Sequence, residues 1–347
     1  MEKKLFDYVI GNPPYQEEFG GSGENKTFGA PVYNKFIDAV YNISDKVELV
    51  HPARFLFNVG STPKDWNEKM LGDNHLTIMN YVEKSSDVFP NTKIRGGVCI
   101  SYHDKTKIVE PIHIFTIYPD LNAIIKKVMA SVTFTPISSI MYIQNRFNLE
   151  ALYDDYPQFK SVIGSNGKDK RFETGIFEKI PLFSERRIDN DDIKVYGVIN
   201  KKRLFRYFPR KYTDLNHENL NRYKAVIMKS NGEGIFGEVL AAVDILGPNE
   251  AFTRSFISFG IFDERVYAEN CRKYIMTKFA RALLDAKKVT QDNPIDTWTC
   301  VPLQDFTPSS DIDWSKSVHE IDLQLYRKYG LDEDEINFIE THVKEMA

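Results

Sequence analysis

The first 120 residues alternate between short apolar runs and stretches with helical spacing. Residues 5–11 form an apolar run with β-branched members that stops at two prolines, which is typical of a buried strand in a parallel sheet. In residues 32–44 the apolar positions recur every three or four residues, which predicts an amphipathic helix. Other elements are predicted at 47–50, 76–82, 94–102 and 112–118 as strands and near 63–71 as a helix. This alternation predicts an α/β fold.

The pattern becomes irregular after about residue 120. Aromatic and basic residues mix through 171–229, and a long amphipathic helix is predicted at about 266–287. Two short helices are predicted near the end, from a Ser317-x-x-Glu320 capping box, a stop at Gly330 and a cap at Asp332. These changes divide the chain into residues 1–125, 126–308 and 309–347.

Charge and composition narrow the class of protein. No apolar stretch reaches the roughly 18 residues of a membrane span, and the start lacks a secretory signal. The three cysteines are far apart, so we expect neither a metal site nor a disulfide framework, and we expect a cytoplasmic protein. The net charge of −4 is unevenly spread: residues 160–230 carry +8 and residues 304–347 carry −7. The basic section is either a solvated surface or a face that meets an anion.

The sequence Asn12-Pro13-Pro14-Tyr15 follows the first predicted strand. Each proline fixes its own φ and favours an extended conformation in the residue before it, so this loop is stiff. Ligands of open parallel sheets bind at the carboxyl ends of the strands, where the loop lies. Asn12 and the Pro13 carbonyl provide two acceptors, which suit a group with two donors, and Tyr15 provides a flat face. A planar base with an exocyclic amine satisfies all three residues.

The chemistry of such an amine explains the need for two acceptors. Its lone pair is delocalised into the ring, so the nitrogen is a poor nucleophile. Two acceptors that hold the amine hydrogens favour a more tetrahedral nitrogen, which is catalysis by positioning and electrostatics without a strong base. A base inside a duplex cannot reach such a loop, so it must be flipped out of the stack.

The stretch DYVIGNPPYQ resembles motif IV of the amino-methyltransferases that use S-adenosylmethionine. The similarity is greatest to the DNA adenine-N6 methyltransferases of type II restriction–modification systems. VELVHPARFL resembles the next core strand of that family, and DVFPNTKIRGGVCISYH resembles the hairpin before its target-recognition domain. MTKFARALL and TQDNPIDTWTCVPLQDF resemble the end of that domain. The resemblance implies a partial Rossmann-like methyltransferase domain, an α+β target-recognition domain and a short helical tail.

The resemblance also implies roles for individual residues. Asn12 and the Pro13 carbonyl would bind the adenine amine, and Tyr15 would stack on the flipped base. A second aromatic residue would close the other face of the base. Tyr102 is the first candidate for this role and Phe89 the second, and each is also compatible with an ordinary place in the core.

The glycine-rich cofactor turn of the family is expected before motif IV, but only eleven residues precede Asn12. We therefore expect the chain to be the C-terminal portion of a methyltransferase and to be inactive alone, with the S-adenosylmethionine half elsewhere. One alternative is the G-x-G-x-x-G at residues 232–237, which follows a predicted strand. A lone motif of this kind is weak evidence, no acidic residue ends the preceding strand, and the following segment is short for the required helix, so we favour a loop between strands of the recognition domain.

The expected partners are double-stranded DNA, the missing cofactor-binding half or subunit, and a restriction endonuclease domain or subunit; no membrane partner is expected. RNA is left open. Two alternative functions are a DNA-binding specificity module without catalysis and a protein glutamine methyltransferase, whose amide offers the same two donors. The candidate DNA contacts are the basic residues of the middle section, namely Arg171, Arg186, Arg187, Arg203, Arg206, Arg210 and Lys211.

Overall fold

The computed structural model describes residues 4–16, 30–58, 61–90, 94, 96–163, 170–232, 234–288 and 291–346. The chain forms two compact units, Met1–Asn122 and Ala123–Ala347. The division between them falls within the helix Pro119–Met129, which also contains the boundary predicted at residue 125. The roles assigned to the predicted domains stay predictions.

The first unit is built on a four-stranded sheet. Its elements are β1 (Val9–Gly11), α1 (Tyr33–Ile43), β2 (Lys46–Pro52), α2 (Lys64–Leu71), β3 (Leu76–Val82) and β4 (Val98–Asp104), followed by α3 (Pro119–Met129). The strand order is β1-β2-β4-β3. Strands β1 and β2 are parallel, and β4 is antiparallel to both of its neighbours, so β3 runs in the same direction as β2. The carboxyl ends of β1, β2 and β3 therefore lie at one edge of the sheet.

Both short helices of this unit pack on one face of the sheet. Tyr33 and Ile37 of α1 and Trp66 of α2 form a single core cluster with Val47 and Leu49 of β2. Alternate residues of a strand face opposite sides, so the even-numbered positions of β2 point away from this core. Of these positions, Lys46, Glu48 and Val50 are only half-buried.

Most of the predicted elements of the first unit are confirmed. The helix at 32–44 is observed as α1 and the strand at 76–82 as β3, and the α/β character is confirmed. The parallel pairing of the first strand is also confirmed, but its predicted length and burial are wrong. Only residues 9–11 are paired as a strand, and the side chain of Ile10 is 74% exposed. The cause is that β1 has a neighbour on one side only in the described structure.

The strand predicted at 112–118 is wrong. Within the described residues this stretch is a connection to α3, held by hydrogen bonds between Thr116 and Asn122. The amide nitrogen of Thr116 donates to the Asn122 side chain at 2.8 Å, and the Asn122 side chain donates back to the Thr116 carbonyl at 2.9 Å. These bonds fold the chain into a turn, so apolar residues alone did not decide the structure here.

The second unit contains two small sheets and a layer of helices. Its elements are α4 (Leu149–Asp155), α5 (Phe159–Ile163), α6 (Ile176–Lys179), α7 (Arg265–Met276), α8 (Lys278–Asp285), α9 (Val318–Lys328), α10 (Glu333–His342), β5 (Met141–Tyr142), β6 (Ile193–Ile199), β7 (Lys202–Phe208), β8 (Tyr223–Met228), β9 (Asp244–Leu246), β10 (Glu250–Phe252) and β11 (Phe256–Phe262). The sheet orders are β10-β6-β7 and β5-β11-β8-β9. An aromatic core beneath the first sheet includes Phe147, Phe172, Phe183 and Phe208.

The prediction of one long helix at 266–287 is wrong in one respect. The segment forms two helices, α7 and α8, which meet at Thr277. Thr277 has an extended backbone, and its hydroxyl accepts a hydrogen bond from the Ala280 amide, so it caps α8. The carboxylate of Asp322 accepts from the amides of Lys278 and Phe279 at 3.0 and 2.8 Å. Capping groups at this point stabilise a new helix start over a continuous helix.

The helices predicted near the end of the chain are confirmed. Ser317 and Glu320 form the predicted capping box at the start of α9, and Asp332 caps α10. Gly330, just after α9, has a φ of 62°, which glycine adopts readily. Among the residues that the structure describes, no helix is long and apolar enough to cross a membrane.

Candidate active site

The Asn12–Tyr15 loop leaves the sheet at the carboxyl end of β1. Gly11, the last residue of β1, lies opposite Leu49 in the parallel pair, so Asn12 is the first residue beyond the paired region. The Asn12 and Pro14 side chains are exposed, and Pro13 and Tyr15 are half-buried. The loop therefore presents the Asn12 side chain to solvent at the edge of the sheet where ligands of parallel α/β sheets bind.

The chain returns to Tyr15 after the loop that follows it, and backbone contacts fix Tyr15 and Gln16 there. The Tyr15 carbonyl accepts from the Val32 amide at 3.2 Å, and Gln16 forms a bridge with Pro31. The glycine-rich loop predicted between these points falls largely on residues 17–29, outside the described residues. Burial raises the pKa of the Tyr15 hydroxyl, and the nearby Asn12 side chain opposes this shift. The hydroxyl is buried and has no hydrogen-bond partner in the described structure.

The structure brings Phe89 against Tyr15. Their ring centroids are 6.4 Å apart at an interplanar angle of 66°, an edge-to-face contact. Phe89 lies in the connection between β3 and β4, and its amide donates to the Ser85 carbonyl at 2.8 Å. The Ser85 hydroxyl in turn accepts from the Ile94 amide at 2.8 Å. The buried Ser85 thus fixes the turn that points Phe89 toward Tyr15.

Tyr102 lies elsewhere on the sheet. It is in β4 opposite Glu48 of β2, which is itself opposite Ile10 of β1. Its ring stacks on that of Tyr8 at 6.1 Å and 25°, and its hydroxyl donates to Asp104 at 3.1 Å. Tyr8 precedes β1, whereas the Asn12–Tyr15 loop follows it. The structure therefore pairs Tyr102 with Tyr8 and pairs Phe89, the second candidate, with Tyr15.

A buried neutral histidine lies at the carboxyl end of β2. The Nδ1 of His51 is 3.2 Å from the Pro52 carbonyl, which can only accept, so Nδ1 carries the proton. Nε2 is then the acceptor for the Ser101 hydroxyl at 2.8 Å. Burial lowers the pKa of His51 to about 4, so the ring is neutral at pH 7. The His51 ring also stacks on Tyr33 at 5.7 Å.

Cys99 lies beside this histidine. Its thiol is 3.7 Å from Nδ1 of His51. Burial raises the pKa of the Cys99 thiol, so it is protonated. His51 and Cys99 are therefore both neutral, which suits catalysis by positioning. Sequence patterns did not indicate His51, since a histidine at a strand end is common and its partners come from another strand.

The predicted DNA-contacting residues differ in whether they already have partners. Arg203 donates to Asp244 at 2.6 Å, Arg206 to Glu185 at 2.9 Å and Lys211 to Asp155 at 2.5 Å. These three side chains are therefore engaged in internal ion pairs. Sequence reasoning could not find these pairs, because each joins residues that are 21 to 56 positions apart.

The other four predicted residues have no carboxylate partner in the described part of the chain. Arg210 donates to the Asn249 side chain, and Arg187 lies 5.4 Å from the centre of the Tyr207 ring, a cation–π contact. Arg171 pairs through its backbone with Arg146, a residue that sequence reasoning missed. For Arg186 the structure shows only a backbone contact, in which its carbonyl accepts from the Ser184 hydroxyl at 2.5 Å.

The G-x-G-x-x-G stretch does not adopt the strand–turn–helix arrangement of a dinucleotide site. It follows β8, but the described residues after Gly237 lead to β9 with no intervening helix. A Cβ on Gly237 would overlap the His342 carbonyl, and its amide donates to Asp285 at 2.7 Å. Gly237 is thus needed for close packing against the chain beyond α10, which favours the interpretation as a loop between strands.

The described residues contain no group of three or more histidine, cysteine, aspartate or glutamate side chains that could hold a metal ion. The three cysteines are buried free thiols.

Two comparisons with known proteins give similarities to parts of this chain. Residues 1–89 match the family described as Eco57I restriction-modification methylase. Over 109 residues the chain is 28% identical to a protein of Mycoplasma pneumoniae described as an uncharacterized adenine-specific methylase. Both similarities are to methylases. The second covers 30% of this chain and 26% of the relative, so the chain spans about a quarter of that protein.

Residues 1–89 therefore resemble a methylase of the restriction–modification type. The family match includes the Asn12–Tyr15 loop, α1, β2 and the turn that carries Phe89. It ends before β4, so the position of Tyr102 lies beyond it. Residues of the second unit also lie outside this match.

Proposed function

We propose that the protein is part of a site-specific DNA adenine-N6 methyltransferase and that its first unit supplies the pocket for the flipped adenine. The observation that carries this proposal is the position of the Asn12–Tyr15 loop, at the carboxyl end of a parallel strand with Phe89 against Tyr15. The similarity of residues 1–89 to restriction–modification methylases supports it.

In the proposed site the two amine hydrogens of the adenine donate to the Asn12 side-chain oxygen and the Pro13 carbonyl. Pro13 cannot donate through its own nitrogen, and the prolines keep the loop stiff, so both acceptors are preorganised. Holding both hydrogens favours a tetrahedral nitrogen whose lone pair is available for the methyl group. His51 and Cys99 are neutral in the described structure, and the loop is proposed to act by orientation and electrostatics.

The base stacks on the Tyr15 ring in this proposal, and Phe89 closes the pocket. Phe89 is preferred to Tyr102 because its ring contacts Tyr15, whereas the ring of Tyr102 is stacked on Tyr8. Aromatic residues that stack on a flipped or single-stranded base typically contribute about 1–3 kcal/mol each.

S-adenosylmethionine is the methyl donor that a methylase implies, and the described residues do not fit it. The G-x-G-x-x-G stretch lies in a loop that leads to a strand and that packs against the chain beyond α10. We propose that a cofactor-binding portion, carried on another segment or chain, completes the enzyme.

The open side of β1 is the proposed contact for that portion. In the described structure β1 is paired with β2 alone, and Leu5, Phe6 and Ile10 are 73%, 54% and 74% exposed. An unpaired strand edge with apolar side chains is a site for the addition of another strand. Parallel sheets are also normally covered on both faces, whereas α1 and α2 cover only one.

A second candidate function is a DNA-binding specificity module without catalysis. It is favoured by the poor fit of the described residues to the cofactor. Methyl transfer by the completed enzyme distinguishes the two candidates. A specificity module binds DNA without contributing to methyl transfer, so replacing Asn12 in it would leave the methylation rate of the completed enzyme unchanged.

The adenine pocket can be tested on this chain by binding of short single-stranded oligonucleotides. We expect adenine to be bound about tenfold or more better than N6,N6-dimethyladenine, since the latter lacks both donors and each hydrogen bond contributes about 1 kcal/mol. Asn12→Ala should remove most of this preference and, in the completed enzyme, abolish methyl transfer while sparing binding to duplex DNA. Asn12→Ala lies on an exposed loop, so thermal unfolding should be unchanged. Equal affinity for the two bases in the wild type would refute the proposed amine site.

A further inference from the structure

Three short segments of the second unit form a rigid ribbon. The segment 145–148 lies between 170–172 on one side and 212–214 on the other. Its hydrogen bonds are Phe147 amide to Lys170 carbonyl (2.7 Å), Phe172 amide to Asn145 carbonyl (3.0 Å), Asp214 amide to Arg146 carbonyl (2.9 Å) and Asn148 amide to Tyr212 carbonyl (2.8 Å). The central segment is therefore fixed on both sides, and its side chains have defined directions.

The two faces of this ribbon are different. Phe147 and Phe172 point into the aromatic core, where they are 3% and 0% exposed with ring centroids 4.6 Å apart. Arg146 and Arg171 are bridge partners, so their side chains leave the ribbon on the same face. Directly opposed residues of antiparallel segments have Cβ atoms about 4.5–5.5 Å apart. The ribbon thus places two arginine side chains at directly opposed positions on one face, with Arg146 exposed and Arg171 half-buried.

This arrangement has an unfavourable charge interaction in the protein alone. Like charges that are directly opposed destabilise a β-pair, by up to about 1 kcal/mol. Neither guanidinium forms an ion pair or side-chain hydrogen bond with any described residue, in contrast to Arg203 and Arg206. Asp214 borders Arg146 on its other side, but its carboxylate accepts from the Asn216 amide at 3.0 Å. Within the described residues, neither arginine of the pair is therefore neutralised by a carboxylate.

We propose that Arg146 and Arg171 form a clamp for a backbone phosphate of DNA. The inference rests on the proposed function, which makes DNA the partner of this chain. Guanidinium groups bind phosphate through paired N–H donors, and a clamp on a fixed ribbon loses little conformational freedom on binding. The clamp also divides the predicted contacts: Arg171 belongs to it with the newly identified Arg146, whereas Arg203, Arg206 and Lys211 stabilise the fold through their ion pairs.

The test is the affinity of the full chain for mixed-sequence duplex DNA, measured by fluorescence anisotropy over a series of salt concentrations. The variants are Arg146→Gln, Arg171→Gln and the double variant. Lys316→Gln is the matched control, because Lys316 is an exposed cation outside the ribbon that forms no ion pair or side-chain hydrogen bond with any described residue. Arg203→Gln reports on an arginine that has an internal partner.

We expect each single variant to weaken binding about 3- to 10-fold and the double variant to lower the salt dependence by one to two ion equivalents. Lys316→Gln should match the wild type. The double variant should be at least as resistant to thermal unfolding as the wild type, because the like-charge pair is gone. If a fully folded variant binds DNA more weakly, the loss is then due to the missing contact between the arginine and the phosphate.

Two results would overturn the clamp. Unchanged affinity and salt dependence in the double variant, with DNA binding intact in the wild type, would refute the clamp and leave the proposed function standing. Absence of DNA binding by the wild type would refute both. If the double variant lost binding to polyglutamate and kept binding to DNA, the pair would be a site for an acidic protein instead.

Discussion

The assignment of Phe89 as the second aromatic residue of the adenine pocket makes a strong prediction. Replacing Phe89 by alanine removes the ring that lies 6.4 Å from Tyr15. A base stacked on Tyr15 would then lose its contact on one side, which is typically worth about 1–3 kcal/mol. Since 1.4 kcal/mol is a factor of ten, affinity for an adenine-containing single-stranded oligonucleotide should fall about 5- to 150-fold.

The same assay separates Phe89 from Tyr102. Tyr102→Ala should leave oligonucleotide affinity within about twofold of the wild type, because its ring is stacked on Tyr8 and its hydroxyl is bonded to Asp104. Phe89→Tyr is the matched control, since it keeps the flat ring and should keep most of the affinity. Fluorescence anisotropy with a labelled oligonucleotide measures all three variants.

A stability measurement guards against a trivial explanation. Phe89 is only half-buried, so Phe89→Ala should lower the free energy of unfolding by less than a fully buried ring would, which is about 3–5 kcal/mol. The assignment is wrong if folded Phe89→Ala binds the oligonucleotide as well as the wild type. A large loss in Tyr102→Ala with none in Phe89→Ala would restore Tyr102 as the base-stacking residue.

Two further predictions concern the stability of the second unit. Asp322→Ala should destabilise it by about 2–5 kcal/mol, because the amides of Lys278 and Phe279 lose their acceptor. Asp322→Asn keeps an acceptor oxygen and should destabilise the unit less. Equal effects of the two variants in urea unfolding would contradict the capping role. Burial raises the pKa of Asp322 to about 6 and that of Asp285 to about 7, above the ordinary value near 4 in the unfolded chain. The contribution of these carboxyls is therefore fully present below about pH 4 and is lost as the pH rises to about 7, by about 3 kcal/mol for Asp322. Asp285→Asn with Asp322→Asn should flatten the urea midpoint between pH 5 and pH 7.5 relative to the wild type, and an unchanged slope would show that neither carboxyl titrates in this range.

Local sequence patterns predicted the elements in which apolar periodicity or a capping motif clearly marks a helix or a strand. The helix α1 and the strand β3 were evident from periodicity, and the tail helices from the capping boxes at Ser317 and Asp332. In these elements short-range signals and tertiary contacts favour the same conformation. The prediction failed where a distant group decided the outcome, as at Thr277, where Asp322 from α9 helps to start a new helix.

The candidate site shows the same division between local and distant information. The loop Asn12–Tyr15 could be singled out from the sequence because its proposed function depends on its own backbone stiffness and on two acceptors that are adjacent in sequence. The choice between Phe89 and Tyr102 could not be made from sequence. Both are aromatic residues on the predicted hairpin, and the register of β4 against β2 determines which of them reaches the loop.

The basic residues of the second unit extend this argument from structure to function. A count of charges gives residues 160–230 an excess of positive charge, but it cannot distinguish a cation that holds the fold together from one that is free to bind. Arg206 and Arg171 are equally basic in sequence. In the structure Arg206 forms an ion pair with Glu185, whereas Arg171 lies opposite Arg146. Arg146 is outside the range 160–230 over which the charges were counted. Electrostatic attraction to DNA depends on cations that are not neutralised nearby, so the like-charge pair on the ribbon should contribute more to affinity than the two ion-paired arginines of β7.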